Sequence, residues 1–303
     1  MLRRIRVAAL AALTALVACG AGGGPPAKEF NGKTALDYVV TQVAFGPRIP
    51  GKPGHAAMLA WLDSMARARA DSVTVQRWWH RTASGDSIPL ANVLAQFNPA
   101  AMQRVLYVAH WDTRPRADND KVDKNGVMPG ADDGGSGVAI LLGVADALKK
   151  APPTVGVDLL FVDGEDYGDF GPPMVDVLLG AAYYAKHQIA PAPLFAVLWD
   201  MVGHKDLRIP QEQNSEIAAP DVVDRVWKVA DQMGYGHIFT QEKYGGITDD
   251  HIPLIDAGIR AIDIIDINYP YWHTTQDTPD KESFESLEAV GNVAVGVIRR
   301  AGT

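Results

Sequence analysis

The chain has 303 residues, of which 47% are hydrophobic and 21% charged, and its formal net charge is −8. This composition excludes a collagen-like repeat, a disordered tail and a polytopic membrane protein, and the single cysteine excludes an intrachain disulfide framework. The acidic excess, 36 Asp and Glu against 28 Lys and Arg, argues against nucleic acid as a partner, because phosphate binding needs a basic stripe.

The amino terminus has the pattern of an export signal. Arg3, Arg4 and Arg6 precede an apolar run at 7–18 that is too short to span a bilayer as a helix. The run ends directly before Cys19, and this arrangement resembles a bacterial lipoprotein signal, whose cysteine is lipidated. An ordinary secretory signal followed by an incidental cysteine is the alternative.

The chain therefore divides into three predicted segments. Residues 1–18 are predicted to be a lipoprotein signal peptide, and residues 19–28 a lipid-anchor cysteine followed by a flexible Gly/Pro-rich tether. Residues 29–303 are predicted to be one functional domain. We expect this domain to be exported and to be held at a membrane only through the lipid anchor.

Strands and helices alternate along the predicted domain. Apolar and β-branched runs predict strands at 73–79, 90–97, 105–109, 157–162, 194–199 and 259–265. Helical periodicity predicts helices at 55–70, 137–149, 177–187, 221–233 and 283–300. Two strands able to form a hairpin, followed by strand and helix in turn, predict an α/β domain with a mixed, mostly parallel twisted sheet and helices on both faces.

Polar residues follow three of the predicted strands. His110 and Asp112 come after the third strand, residues 163–166 after the fourth, and Asp200 after the fifth. In an open α/β sheet the carboxyl ends of the strands form the ligand crevice. The sequence therefore predicts a site to which several segments deliver His, Asp and Glu.

The acids at these positions suit a metal site, although simpler interpretations exist. Asp133 lies in a glycine-rich turn before a helix, where an acid can be either a helix cap or a cation ligand. Glu165 and Asp166 follow a strand end, where one carboxylate could bind a metal and the other act as a general base, or both could be surface acids. Asp200 ends a buried strand, where an acid is costly unless it is paired or bound to metal.

The second half of the chain adds further candidates. His273 follows Trp272 and could share a metal with the acids, although a lone histidine is more often structural. Asp263 lies inside a predicted strand, either as a partner behind the site or as an acid at the edge of the strand ladder. Residues 168–173 form a turn-rich loop that could shape the mouth of a pocket.

Six motifs, taken in order, resemble the zinc-dependent aminopeptidase superfamily of M28-like peptidases, and within it most closely the bacterial glutaminyl cyclases. The resemblance covers nearly the whole predicted domain, from residue 43 to the last helix. The motifs are His110-Trp-Asp-Thr-Arg-Pro115 with Ala117-Asp-Asn-Asp120, Gly130-Ala-Asp-Asp133, Asp163-Gly-Glu-Asp-Tyr-Gly168, Asp200-Met-Val-Gly203, Thr248-Asp-Asp-His-Ile-Pro253 and Trp272-His-Thr274.

The resemblance implies a zinc enzyme with the fold predicted above. In the family pattern, Asp133, Asp166 and His273 are the three protein ligands of one Zn²⁺. Three N/O ligands with an open position are the coordination expected of a catalytic zinc rather than a structural one.

The resemblance also implies an activity. The substrate is a peptide or protein with an N-terminal glutamine, and the product is an N-terminal pyroglutamyl peptide with release of ammonia. Glu165 corresponds to the general acid/base, Asp200 and Asp249 to an acid pair beside it that shares a proton, and Trp272 to a wall of the substrate pocket. We expect the enzyme to be a monomer.

Two other functions stay open at this point. In a di-zinc aminopeptidase of the same superfamily, His110 and Asp200 would hold a second zinc and Asp133 would bridge the two ions. His110 and Asp112 are accordingly candidates either for a second metal site or for a role behind the first. A catalytically silent binding lipoprotein is the third possibility, but the chain retains Glu165 and every predicted ligand.

Overall fold

The computed structural model describes residues 27–189 and 191–302. The predicted signal peptide and all of the predicted anchor and tether except Ala27 and Lys28 lie outside these residues. In the described part of the chain, no helix is both long enough and apolar enough to cross a membrane.

Strands and helices alternate through most of the domain. The strands are β1 (Ser72–Arg81), β2 (Ser87–Phe97), β3 (Arg104–His110), β4 (Gly156–Val162), β5 (Phe195–Asp200), β6 (Ile209–Glu212), β7 (Phe239–Tyr244) and β8 (Ala261–Ile265). The α-helices are α1 (Gly32–Ala44), α2 (Pro53–Arg67), α3 (Gly135–Lys150), α4 (Leu179–Lys186), α5 (Gln213–Ala218), α6 (Pro220–Gln232), α7 (His251–Asp256) and α8 (Phe284–Arg299).

The main sheet has six strands in the order β1-β2-β4-β3-β5-β8. Strands β1 and β2 form an antiparallel hairpin, and β2 also runs antiparallel to β4. Strands β4, β3, β5 and β8 are parallel to their neighbours. The predicted hairpin and the mixed, mostly parallel sheet are confirmed, and the parallel strands bring their carboxyl ends to one edge.

Alternating residues of the central strands separate two cores. In β3, Val105 and Tyr107 belong to the larger core, which also contains residues of α1, α2, α3, α6 and α8. Leu106 and Val108 face the opposite way, into a smaller core that contains residues of α4 and α7. Because side chains of a strand alternate between the two faces of a sheet, this division places helices on both faces, as predicted.

The start of α3 packs very closely against the sheet. A Cβ atom on Gly137 would lie 2.1 Å from the backbone oxygen of Trp199 in β5. Any larger residue would push the helix away, so glycine is required here for close approach. This contact fixes the turn before α3 against the carboxyl end of β5, where Asp200 lies.

The chain enters the domain at the edge opposite these carboxyl ends. Glu29 pairs with Arg299 at the end of α8, with 2.7 Å between the Arg299 Nη2 and Glu29 Oε2 atoms. Arg299 also donates to the backbone oxygen of Pro152, in the loop that leads into the amino end of β4. The backbone N–H of Phe30 donates to the side chain of Asn292 in α8. These contacts fix the first part of the domain beside the last helix.

Several elements were not predicted. Helix α1 carries β-branched residues at positions 34, 39, 40, 41 and 43, which weaken a helix signal. Strands β6 and β7 pair in a separate parallel two-stranded sheet. The sequence of β7 is mostly polar and exposed, which is not typical of a strand. Helices α5 and α7 have only six residues each, too few for a helical period to show.

Candidate active site

Three residues that lie far apart in the sequence meet at the carboxyl edge of the sheet. Asp133 lies in the turn before α3, Asp166 follows β4, and His273 follows β8. The His273 Nε2 atom lies 3.3 Å from Asp166 Oδ1 and 3.5 Å from Asp133 Oδ2. One ligand atom from each residue falls within 4.8 Å of the others, so the three could hold one metal ion.

Buried oxygen atoms in this group lack partners. Oδ2 of Asp133 and Oδ2 of Asp166 are buried, and neither has a hydrogen-bond partner among residues 27–189 and 191–302. Burying a carboxylate oxygen without a partner is costly, and a bound cation would supply the missing interaction. Two carboxylates and one imidazole form a donor set that suits zinc, so these residues fit the metal that the family resemblance implied.

A second group of possible ligands shares Asp133 with the first. His110 Nε2 lies 3.1 Å from Asp133 Oδ1 and 3.2 Å from Asp200 Oδ1, and these three residues could also hold a metal. Burial lowers the pKa of His110, but the carboxylates of Asp200, Asp112 and Asp133 raise it well above its ordinary value. An imidazolium ion at this position would itself balance the neighbouring acids.

Asp112 supports the site through the backbone. It is not part of either metal-binding group in the described chain. Its two carboxylate oxygens accept the backbone N–H groups of Glu165 and Asp166 at 3.1 and 3.2 Å. Its Oδ1 atom also lies 3.5 Å from Nδ1 of His110. The residue therefore fixes the turn that carries two of the predicted functional carboxylates.

Glu165 lies beside both groups and lines the same cavity. Its Oε2 atom is 3.9 Å from Nδ1 of His110, and the residue is 6% exposed. Burial raises the pKa of Glu165 well above its ordinary value, and although His110 opposes the shift, the charges of Asp249 and Asp166 add to it. A carboxyl group with a raised pKa can both accept and return a proton near neutral pH.

Asp200 and Asp249 are buried acids that both line the cavity. Burial, followed by the charge of Asp200, raises the pKa of Asp249 to about 7. Burial also raises the pKa of Asp200, although His110 opposes this shift. Neighbouring carboxyl groups with raised pKa values resist simultaneous ionisation, which suits the shared proton predicted for them.

Asp263 is buried on the edge strand β8, which pairs with β5. Its Oδ2 atom lies 3.8 Å from Nδ1 of His251. Neither carboxylate oxygen has a hydrogen-bond partner in the described chain. Asp263 thus shares features of both positions considered for it: it lies on an edge strand, and its side chain is buried in the protein interior.

The cavity in front of these residues has a volume of about 430 Å³. Trp272 forms part of its wall, and the centre of the Trp272 ring lies 4.2 Å from that of His273. Asp169 and Phe170 also line it, as predicted for the loop at 168–173. The backbone φ of His273 is +55°, a left-handed conformation that is strained for a residue other than glycine.

Asp277 contributes to the site, although no pattern in the sequence pointed to it. Its carboxylate accepts the backbone N–H groups of Asp132 and Asp133 at 2.9 and 3.3 Å, and the hydroxyl of Tyr269 at 2.8 Å. It thereby holds the turn that presents Asp133. This turn lies more than 140 residues away along the chain, a contact that periodicity and motif spacing do not reveal.

Arg48 supports the same turn from the other side and is fully buried. Its guanidinium donates to the backbone oxygens of Trp111, Pro129 and Gly130 at 3.0, 2.9 and 2.6 Å. A buried arginine that binds three carbonyl groups fixes two loops relative to each other. These loops lead from β3 and into α3, so Arg48 sets the relative position of the segments that carry His110 and Asp133.

Known proteins are similar to this chain in sequence and in fold. The model of peptidase family M28 matches residues 92–298. The crystal structure of Porphyromonas gingivalis glutaminyl cyclase is 36% identical to this chain, with a TM-score of 0.85 over 89% of this chain and 98% of that one. A structure described as a leucine aminopeptidase precursor from Bacteroides thetaiotaomicron is 35% identical, with a TM-score of 0.86 over 89% and 97% of the two chains.

A more distant relative carries the same activity name. The glutaminyl-peptide cyclotransferase of Bos taurus is 26% identical over 287 residues, which cover 82% of this chain and 77% of that protein. The similarities therefore include proteins named for cyclisation and a protein named for aminopeptidase activity. The names of similar proteins therefore do not decide between these two reactions, and the side chains of the site provide the further evidence.

Proposed function

Because this chain belongs to peptidase family M28, we propose that it is a zinc-dependent glutaminyl-peptide cyclotransferase. The reaction converts the N-terminal glutamine of a peptide or protein to pyroglutamate and releases ammonia. One observation carries the proposal: a buried carboxyl with a raised pKa, Glu165, lies beside the Asp133, Asp166 and His273 group in a cavity walled by Trp272.

The reaction needs positioning more than a protein nucleophile. The substrate's own α-amine attacks the carbon of its γ-carboxamide, a new N–C bond closes the five-membered ring, and the bond to the carboxamide nitrogen breaks. Holding both ends of one residue in a closed pocket makes this step intramolecular. Trp272 would provide a flat wall against which the glutamine side chain packs.

Glu165 would move the proton. It accepts a proton from the attacking amine and returns it to the departing nitrogen, which leaves as ammonia. A raised pKa suits both transfers, and Asp200 and Asp249 beside it hold a further proton in the same buried region. A zinc ion held by Asp133, Asp166 and His273 would supply Lewis acidity toward the carboxamide oxygen.

The di-zinc aminopeptidase is the second candidate, and a specific observation favours it. His110, Asp133 and Asp200 form a second possible metal group that shares Asp133 with the first. His273 lines the cavity, whereas His110 is not among its lining residues, so an ion held with His273 would face the substrate more directly. We therefore propose one zinc per chain.

A direct assay separates the two reactions. The purified protein is incubated with a peptide that begins with glutamine and, separately, with amino-acid anilides, while ammonia, aromatic amine and zinc per chain are measured. The matched control is a peptide of the same composition with glutamine at an internal position. Ammonia from the first peptide alone, at one zinc per chain, supports the cyclase. Release of the aromatic amine at two zincs per chain refutes it.

Removal of the metal tests the cofactor. Dialysis against a chelator should abolish ammonia release, and added Zn²⁺ should restore it. The apoprotein should also unfold at a lower temperature, because the unpaired oxygens of Asp133 and Asp166 lose the ion that satisfies them. Full activity in a protein from which nearly all of the zinc has been removed would refute the zinc-dependent mechanism.

We propose further that the enzyme is an exported, monomeric lipoprotein anchored through Cys19. The arginine-flanked apolar run before Cys19 supports this localisation. Radiolabelled fatty acid should be incorporated into the wild type and not into Cys19→Ala, which should move from the membrane fraction to the soluble fraction. Gel filtration of the delipidated domain should give the mass of one chain.

A further inference from the structure

The Arg114 side chain joins two carboxylates at the edge of the first metal-binding group. Its Nε and Nη2 atoms donate to the two oxygens of Asp118 at 2.8 and 2.7 Å. Its Nη1 atom donates to Oδ1 of Asp166 at 2.7 Å. The Arg114 side chain is only 7% exposed. A guanidinium has five donors in a fixed plane, so one arginine can hold both carboxylates in a defined relative orientation.

Asp118 also faces the third member of the group. Its Oδ1 atom lies 3.5 Å from Nδ1 of His273, on the side of the ring opposite Nε2. Nε2 is the atom that faces Asp133 and Asp166. In a neutral imidazole, a carboxylate next to Nδ1 favours the proton on that atom and leaves the lone pair on Nε2.

The two carboxylate oxygens of Asp166 also have different contacts. Its Oδ1 atom accepts the hydrogen bond from Arg114, whereas its Oδ2 atom is buried without a hydrogen-bond partner in the described chain. The guanidinium therefore fixes the carboxylate by one oxygen and leaves the other available. Thus two members of the ligand group are oriented by one connected pair of side chains.

We propose that Arg114 and Asp118 are positioning residues of the metal site, with Arg114 fixing Asp166 and Asp118 fixing the ring and tautomer of His273. The inference rests on the proposed zinc-dependent function. Neither residue need touch the substrate's reacting atoms, so their effect should appear in metal binding before it appears in catalysis. Arg116 offers a matched control, because its Nε atom is 3.9 Å from Asp118 and its side chain is 60% exposed.

The test measures metal binding in four purified proteins: the wild type, Asp118→Asn, Arg114→Lys and Arg116→Gln. Zinc affinity is measured by competition with a chromogenic chelator, and the visible absorption spectrum of each Co²⁺-substituted protein reports the geometry at the metal. Asn keeps the volume of Asp118 without its charge. Lys keeps the charge of Arg114 but lacks the planar set of donors with which Arg114 holds both carboxylates. The unfolding temperature of each apoprotein is recorded as a check on the fold.

We expect Asp118→Asn and Arg114→Lys to weaken zinc binding by about 10- to 100-fold and to change the Co²⁺ spectrum. Arg116→Gln should bind zinc like the wild type. A merely structural role would lower the unfolding temperature of the apoprotein and leave the Co²⁺ spectrum of the folded protein unchanged. Should Arg114→Lys fail to fold, Asp118→Asn carries the same expectation by itself.

The test distinguishes failure of the proposed function from failure of this inference. A wild-type protein that binds no zinc refutes the proposed zinc-dependent function, and the inference falls with it. A wild type that binds zinc, together with an Asp118→Asn variant of the same affinity and the same Co²⁺ spectrum, refutes the inference alone. In that case the Arg114 and Asp118 pair only stabilises its loop.

Discussion

The backbone N–H of Glu165 donates to Oδ1 of Asp112 at 3.1 Å, so the proposed acid/base is held in place by a side chain from the neighbouring strand end. The other oxygen of Asp112 accepts the N–H of Asp166. The buried carboxylate of Asp112 thereby fixes the positions of both Glu165, which would move a proton, and Asp166, a predicted metal ligand. The two functions are mechanically linked through the turn after β4.

Replacing Asp112 should damage both stability and activity. Asp112→Ala leaves two buried N–H groups unsatisfied, and we expect the free energy of unfolding to fall by about 3 kcal/mol and kcat/KM to fall about tenfold as the turn relaxes. Chemical denaturation and the ammonia assay measure the two effects. Asp71→Asn is the control, because Asp71 accepts a backbone N–H at the exposed surface. An Asp112→Ala variant as stable as this control would contradict the assignment.

Glu165→Gln should remove turnover without removing the metal. Gln has nearly the same shape but cannot accept a proton from the amine, and the loss of a general base typically costs about 10²- to 10⁴-fold in rate. Zinc per chain, measured by atomic absorption, should equal that of the wild type. Glu242→Gln, at an exposed position, should keep full activity. Substantial ammonia release by Glu165→Gln would show that another group moves the proton.

Trp272 should act mainly on substrate binding. Trp272→Ala removes an aromatic wall of the cavity, and we expect KM for a Gln-peptide to rise about tenfold, with a smaller change in kcat. Trp272→Phe should recover much of the loss because it keeps a ring. Trp79→Ala is a suitable control, since Trp79 is 72% exposed on the edge strand β1. A fall in kcat with unchanged KM would instead indicate that the ring positions His273.

His204 should make stability depend on pH. It lies between two carboxylates, 3.0 Å from Asp132 and 3.2 Å from Asp266, and although burial lowers its pKa, these hydrogen bonds raise the pKa to about 9. The ordinary value is 6.5. Between these values the folded state holds a proton that the unfolded state has released. The stabilisation is complete below pH 6.5 and is lost as the pH rises through 9.

The difference between wild type and a His204 variant isolates this effect. Between about pH 6.5 and about pH 9.5, we expect the free energy of unfolding of zinc-saturated wild type to fall by about 2 kcal/mol more than that of His204→Gln. Urea denaturation at a series of pH values measures both proteins under identical conditions. Parallel curves would mean that folding does not raise the pKa of His204.

Much of the fold could be predicted because it depends on local patterns. Residues 105–109 of strand β3 are a continuous run of buried apolar residues. Strands and amphipathic helices alternate along the chain on either side of it, and this alternation predicts a mostly parallel sheet. Helix α1 and strand β7 lack such a signal, since β-branched residues weaken the first and polar residues fill the second. Their conformations are decided by tertiary packing, which local patterns do not record.

In the site, too, some features could be predicted from the sequence and others could not. Asp166 follows β4 closely, so the rule that parallel strands end at one edge of the sheet predicts its location from the order of strands and helices alone. Asp133 and His273 lie farther from a strand end, and their place in the same group was expected only from the resemblance to the M28-like peptidases. The supporting contacts follow no such rule. That Asp277 holds the turn of Asp133, or that Arg114 reaches Asp166, depends on loop conformations set by many distant contacts. The roles assigned to Glu165, Asp200 and Asp249 stay predictions until the variants are measured.

The ion pair between Glu29 and Arg299 fixes the start of the described domain at the edge of the sheet opposite the predicted functional residues. It lies beside the amino end of β4, whereas the predicted functional residues follow the carboxyl end, and seven residues of extended strand separate the two edges by about 20 Å. A tether attached before Glu29 would therefore leave from the side opposite the cavity. With the proposed lipid anchor, the mouth of the cavity would lie at the end of the domain far from the point of attachment, where long or folded protein substrates could approach it from solution.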